Sequence, residues 1–258
     1  MSLITADLKG QLCNVILTLF KIFKYQKVLG LPDKNVFING DYYCDGGLHP
    51  EQFKKTNVGD GFIYKRLDFF KKVEPFLKHK DEYQKIISNG NFQKDIKNIN
   101  EARVAIKNKK DLLLYWLFIY PDGNDDLLLF KKMLFNDTFF KNGISRISKI
   151  GSSSSKCVGM HIRRNDFSLY KSGKYLLSKE QINKNIESIS KNKDIIVFSD
   201  DIAWCKNNLK RGGGKLLFSE NASDTEDLMT LAACSEIIKN PGSSFSALSR
   251  VINTCSKL

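Results

Sequence analysis

The sequence lacks most of the features that would place it quickly. Its six cysteines, at positions 13, 44, 157, 205, 234 and 255, include no C-x-x-C pair and none at zinc-ligand spacing from a histidine, which argues against a structural zinc site. There is no G-x-x-x-x-G-K-[ST] stretch, which argues against a P-loop hydrolase. No D-x-D stands at the end of a strand in the second half, so a metal-bridged diphosphate is not indicated. No segment approaches the roughly 18 to 20 apolar residues that span a bilayer. The opening residues, Met1–Ala6, lack a basic segment followed by an apolar one and a cleavage site. No internal repeat is visible, and no run of five or more basic residues occurs. The expectation is a soluble protein of a reducing, cytoplasmic compartment, its thiols serving as small buried hydrophobes.

The chain does have length, apolar residues and positive charge. Its 258 residues suffice for one large domain or two smaller ones, and 42% hydrophobic residues supply a sizeable core. A net charge of +13, from 41 Lys+Arg against 28 Asp+Glu, favours acidic partners such as nucleotide-linked substrates. The excess is scattered lysine, and no nucleic-acid motif accompanies it.

In the first half, Ser2–Leu8 reads as a strand leading through Gly10 into an apolar helix that runs to about Leu29. Gly10 stands where strand becomes helix, either as a plain turn or as a place where backbone approaches a ligand. Val36–Asn39 reads as a strand, and Asp41–Gly61, which contains His49, as a loop. From Phe62 to Asn142 the pattern reads as mostly helical, with Phe69, Phe70, Val73 and Phe76 on one face. Leu112–Tyr120 is continuously apolar and fits either strand or helix. Pro121–Asn124 reads as a turn and Asp126–Phe140 as one helix. The serine run Gly151–Ser155 reads as a linker, dividing the chain into domains 1–150 and 151–258.

The second half alternates strand and helix. Strands are expected at Cys157–Ile162, Asp194–Ser199, Lys215–Phe218 and Glu236–Lys239. Between and after them, helices are expected at Leu177–Ser190 with Ser178 as cap, after Ser199 with Asp200 and Asp201 in its first turn, at Thr225–Cys234 behind a Ser223/Glu226 capping box, and from Ser243–Ser244 to about Cys255. This alternation implies a parallel sheet with helices on both faces and a ligand beyond the carboxyl ends of its strands. That rim collects Arg163–Asp166, Ser199–Asp201 and Asn240–Ser246.

The stretch V-G-M-H-I-R-R-N-D-F, Val158–Phe167, carries the chemistry. Two guanidiniums leaving the end of a buried strand are costly unless an anion meets them, and each offers a planar donor fork suited to phosphate. The alternative is ordinary pairing with surface carboxylates. A helix opened by serines at Ser243–Ser246 adds free N–H donors and a positive dipole end. Arginines and a helix end can stand in for a metal in stabilising a departing diphosphate.

These residues resemble a known family. H-I-R-R-N-D at His161–Asp166 is similar to the H-x-R-R-x-D motif of the α-1,2- and α-1,6-fucosyltransferases. F-S-D-D-I-A-W-C-K-N-N-L at Phe198–Leu209 and D-L-M-T-L-A-A-C-S-E-I-I at Asp227–Ile238, running into S-S-F-S, resemble the second and third motifs of the bacterial-type α-1,2-fucosyltransferases, glycosyltransferase family 11. L-K-G-Q-L-C-N-V-I at Leu8–Ile16 resembles that family's first glycine loop. The resemblance implies a GT-B type α/β fold, two Rossmann-like domains with an interdomain cleft. The donor would be GDP-L-fucose, held mainly by the C-terminal domain, and the acceptor a glycan hydroxyl, typically the 2-OH of a galactoside on the N-terminal side. Transfer would invert the anomeric centre, with no metal, no cofactor, no nucleic acid and no membrane span.

Carried over residue by residue, Arg163 binds the β-phosphate and assists its departure, while His161 and Arg164 shape the same pocket. Asp227 lies near the nucleoside, and Ser243, Ser244 and Phe245 near the diphosphate. Gly10 and Asn14 approach from the other domain. Asp166 is either general base or an orienting partner of the arginines. The chain departs from the family where Asn165 replaces a glycine and where P-G-S-S-F-S-A-L lacks the paired tryptophans, which bears on linkage and acceptor more than on donor. Rival readings are another GDP-deoxysugar, a non-catalytic nucleotide- or glycan-binding protein on the same scaffold, and, on charge alone, a nucleic-acid binder.

Overall fold

The computed structural model describes residues 2–6, 8, 12–41, 63, 66–114, 119–164, 176–240 and 242–258. Two compact units divide the chain, Met1–Phe135 and Asn136–Leu258. The Asp41–Gly61 loop beyond its first residue, with His49, lies outside the described residues.

In the first unit, strand β1 (Ile4–Ala6) leads to helix α1 (Leu12–Val28), then β2 (Ile38–Asn39) and β3 (Leu77–Lys78). Helix α2 (Lys80–Asn89), β4 (Phe92–Ile96), α3 (Ile99–Lys107), β5 (Asp111–Leu114) and α4 (Asn124–Met133) follow. The strands run parallel in the order β1-β5-β4, with β2 and β3 paired separately. Helix α1 is buried nearly all round, as expected of a helix that is apolar on every side. The stripe Phe69, Phe70, Val73 and Phe76 is buried as its spacing implied, although Lys71–Phe76 coils as a 3-10 helix containing Pro75.

The mostly helical reading of this region is corrected by three strands, β3, β4 and β5. In β4, Gln93, Lys94 and Asp95 are exposed and only Ile96 is buried. An edge strand of this kind shows no apolar alternation. The single helix expected over Asp126–Phe140 is two, because Asn136 caps a new start by accepting the Phe139 N–H at 3.2 Å.

The second unit begins with that new helix, α5 (Asp137–Ile150), followed by β6 (Cys157–Ile162), α6 (Lys179–Glu187) and β7 (Asp194–Ser199). Helix α7 (Ile202–Asn208), β8 (Leu216–Phe218), α8 (Asp224–Ala232), β9 (Glu236–Ile238) and α9 (Ser244–Cys255) complete it. The sheet is parallel throughout, in the order β8-β7-β6-β9. Met160, Ile162, Ile195 and Val197 pack on one face with Ile182, Ile186 and Cys205 of α6 and α7. Cys157, Ile196 and Phe198 pack on the other with Ile147 of α5, and with Leu231 and Cys234 at α8. Strands covered on both faces read as continuous apolar runs, which is why β6 and β7 match their expected bounds. The capping boxes at Ser178/Gln181 and Ser223/Glu226 are both formed.

The serine run is not a flexible joint. Gly151 ends α5 at φ 102°, Ser152 donates to Asp194 at 2.8 Å, and the N–H groups of Lys156 and Cys157 donate to the Ser153 carbonyl. The division falls before α5 because α5 packs on α8 so closely that a Cβ on Gly143 would stand 2.6 Å from the Met229 carbonyl oxygen. Among the described residues no helix is long and apolar enough to cross a membrane.

Candidate functional site

The strand order places a reversal between β6 and β9: from β6 the chain builds outward through β7 and β8, then returns to add β9 on the opposite side. Open parallel sheets bind ligands at such a point, beyond the carboxyl ends of the strands. Here those ends are His161–Arg164 and Lys239–Ser244.

The two ends are tied together. His161, at the penultimate position of β6, is buried; its Nδ1 hydrogen-bonds the Ser243 Oγ at 2.9 Å. Its ring stacks on Phe245, centroids 4.6 Å apart and planes 22° from parallel. Ser243 caps α9 by accepting the Ser246 N–H at 3.2 Å. Asn240 donates from Nδ2 to the His161 carbonyl at 3.0 Å, and its backbone N–H donates to the Ser246 Oγ at 3.2 Å. The Asn240 Oδ1 is buried without a protein partner, an acceptor turned inward at the carboxyl edge. No spacing singles out Asn240; its two hydrogen bonds, one to β6 and one to α9, make it the knot of this corner.

Arg163 and Arg164 follow the last residue of β6 and are half-buried. Side chains alternate along β6, so His161 faces α9 while Met160 and Ile162 face α7, and Arg164 lies on the α7 side. Accordingly the Arg164 guanidinium lies over the Trp204 ring of α7, 3.5 Å from its centroid, while the Arg164 N–H donates to Asp200 at 2.8 Å. The cap of α7 is Asp201, which accepts the Trp204 N–H at 3.0 Å; Ser199, expected to be the cap, instead accepts the Asp201 N–H. A side chain two positions nearer the helix reaches the free N–H groups, leaving Asp200 available to β6.

Asp227 stands on the same edge beyond β8, in the first turn of α8. Ser219 Oγ donates to it at 2.6 Å, and Arg146 of α5 reaches both Ser219 Oγ at 3.4 Å and the Glu220 carbonyl at 2.5 Å. Burial pushes the Asp227 carboxyl up to about 6, against the opposing Ser219 hydrogen bond and the nearby Arg146. The Arg146 Nε is buried without a partner.

The structure thus gathers His161, Ser243 and Phe245 at one corner, with Ser244 opening α9 beside Ser243, Arg163 just past the end of β6, Arg164 on the α7 side and Asp227 further along the edge. Asp166 and Gly10 lie outside the described residues. Asn14 belongs to the first unit, in the first turn of α1, where its Oδ1 is buried without a partner. Among the described residues no group of three or more His, Cys, Asp or Glu side chains is clustered as a metal site would require.

Comparison with known proteins agrees with this geometry. The sequence profile of glycosyl transferase family 11 matches residues 130–255, a span close to that of the second unit. No curated protein sequence matches the chain. Among solved structures, POFUT1 in complex with GDP aligns over 99% of this chain and 96% of its own, with TM-score 0.56 and 12% identity. The fucosyltransferase NodZ from Bradyrhizobium aligns over 96% and 90%, with TM-score 0.53 and 13% identity. At such identities the likeness concerns the fold: the α/β architecture is the GT-B type, with two Rossmann-like domains.

Proposed function

We propose that the protein, whose residues 130–255 match the profile of glycosyl transferase family 11, is a GDP-L-fucose-dependent, inverting fucosyltransferase acting on a glycan hydroxyl, the 2-OH of a galactoside being the favoured acceptor position. The observation that carries the donor reading is the corner at the β6/β9 reversal. There the chain runs from a buried histidine, bonded to the capping serine of α9, into Arg163 two residues on.

Departure of GDP places negative charge on the β-phosphate. The Arg163 guanidinium supplies a forked donor for it, and the first turn of α9, at Ser244 and Phe245, supplies N–H groups and the positive end of the helix dipole. Both are held in place before the reaction begins, so they stabilise developing charge without reorganising. This assigns to the chain's own residues the work that a divalent cation does elsewhere, and no cofactor is required. Asp227, on the same edge, accepts donors of the nucleoside when ionised. Asp166 is the general base for the acceptor hydroxyl or else orients the arginines. The first unit is the acceptor-side domain and the second unit the donor domain. The five described cysteines are buried, which suits a cytoplasmic enzyme.

Calorimetric titration with GDP and with GMP tests the diphosphate site: GDP should bind at least about tenfold more tightly, and equal affinities would count against the reading. Product linkage over a panel of glycan acceptors tests the 2-OH assignment. Hydrolysis of GDP-fucose without transfer to any acceptor would overturn it.

A further inference from the structure

The adjacent arginines of H-I-R-R have separate surroundings. Arg163 stands two residues after His161, which belongs to the α9 corner. Arg164 lies on the opposite side, flat on Trp204, with its backbone N–H held by Asp200. Trp204 is itself fixed: its N–H is taken by the Asp201 cap, whose own N–H is taken by Ser199. Its ring packs on the cluster of Met160, Ile162 and Cys205. The residue after Arg163 is therefore gripped twice, through its guanidinium face and through its backbone, by one rigid β7–α7 turn.

We infer that Arg164, Trp204 and Asp200 form a positioning clamp that fixes the tip of β6 so that Arg163 meets the diphosphate. Arg164 is then a positioning residue, separate from the donor ligands. This rests on the donor reading above. A guanidinium suits the task because it is planar, always charged and weakly hydrated, so it stacks on indole with little desolvation cost. The ammonium of lysine has no such face. Misplacement of a catalytic group by about 1 Å costs on the order of 10²-fold in rate, so a loosened clamp affects turnover more than donor binding.

The test measures kcat, the donor KM and GDP affinity for Arg164→Ala, Trp204→Leu and the double variant. Leucine keeps the core position filled without an aromatic face. Each single variant should lose about 10- to 100-fold in kcat while the donor KM and GDP affinity stay within about threefold. The double variant should be no worse than the weaker single one, because both break the same clamp. Trp204→Phe should recover most of the turnover, and Arg164→Lys should not. Multiplying losses in the double variant would overturn the inference. So would a tenfold loss of GDP affinity in Arg164→Ala beside an unaffected Trp204→Leu, which would make Arg164 a donor ligand.

The contact itself has a readout independent of activity. The sequence has two tryptophans, so in Trp116→Phe protein Trp204 is the only indole, and Arg164→Ala should shift its emission. An unchanged emission in protein that still binds GDP sinks the clamp and leaves the donor reading standing. Failure of the wild type to bind GDP sinks the donor reading, and the role given to the clamp with it.

Discussion

At the amino ends of β6 and β7 a buried carboxylate is surrounded by groups that match it. Asp194 accepts Ser152 Oγ at 2.8 Å and the Lys215 N–H at 3.4 Å, and Lys156 lies 3.6 Å away. At the carboxyl edge of the same sheet, the Asn240 Oδ1 after β9 is buried without a protein partner, and burial raises the Asp227 carboxyl. The carboxylate of the amino edge is matched by groups of the protein itself, whereas that of the carboxyl edge is held against its preference for water. A sheet organised in this way concentrates stability at one edge and binding at the other.

The largest expected effect comes from removing the central group of the carboxyl edge. Arg163→Ala should lower kcat by about 10³-fold, the scale of losing a preorganised charge stabiliser, with stability within about 0.5 kcal/mol of wild type because the position is only half-buried. Steady-state kinetics beside a thermal melt decides it. Undiminished turnover would remove Arg163 from the mechanism, and a collapsed melt would show the two edges to be less distinct than described.

The converse change is Asp194→Ala, which should cost about 3 kcal/mol of stability, as losing a buried, hydrogen-bonded carboxylate does, and leave kcat of the folded fraction unchanged. Burial alone would raise the Asp194 pKa. The hydrogen bonds from Ser152 and the Lys215 N–H, with Lys156 and Lys215 nearby, hold it below the ordinary carboxylate value of 3.8. A depressed carboxylate contributes stability that is present above its unfolded pKa and is lost as pH falls through the folded one. The gap between wild type and variant, measured by chemical denaturation, should therefore be constant from neutral pH down to about 4 and close only below that. A gap that closes near neutral pH would contradict the assignment.

Asp227 carries the opposite sign. Its folded pKa, about 6, lies above the ordinary 3.8, so its contribution to wild-type stability is greatest below 3.8, falls as pH rises to about 6 and is level above that. Asp227→Asn keeps an acceptor for Ser219 and removes the buried charge. It should be more stable than wild type by about 2 kcal/mol at pH 8, after allowance for partial exposure, with no advantage at pH 3.5. The same variant should bind GDP less tightly. Gain of stability with loss of binding is the signature expected of the carboxyl edge, and an Asn variant less stable than wild type at pH 8 would sink it.

The second unit was the more legible because its central strands β6 and β7 are buried on both faces and three of its helices open on the serines expected there: Ser178, Ser223 in its box with Glu226, and Ser243. The parallel sheet and the meeting of the end of β6 with Asn240–Ser246 followed from that alternation, whereas the GT-B type and the place of His161 came with the family resemblance. The first unit concealed β4, whose exposed Gln-Lys-Asp centre has the composition of a surface helix. The serine run misled because low complexity suggests flexibility, whereas Ser152 and Ser153 are held by Asp194 and by the N–H groups of Lys156 and Cys157. The stacking of Arg164 on Trp204 and the orphaned Asn240 acceptor were invisible for a different reason. Both depend on the register of β6 against α7 and β9, which no local spacing encodes.

The smallest effect sharpens the contrast most, because it compares like with like. Ser178 and Ser243 are both N-caps, accepting the N–H of Gln181 at 3.2 Å and of Ser246 at 3.2 Å. Replacing either with alanine removes one cap, worth about 1 kcal/mol of stability. Ser178 faces solvent, whereas Ser243 also bonds the buried His161 ring at 2.9 Å. Ser243→Ala should therefore weaken GDP binding about three- to tenfold, the scale of one hydrogen bond, while Ser178→Ala leaves GDP affinity unchanged at a similar loss of melting temperature. Equal GDP affinities in the two variants would mean that the His161–Ser243 corner supports only the fold, and the donor site would have to be sought elsewhere along the edge.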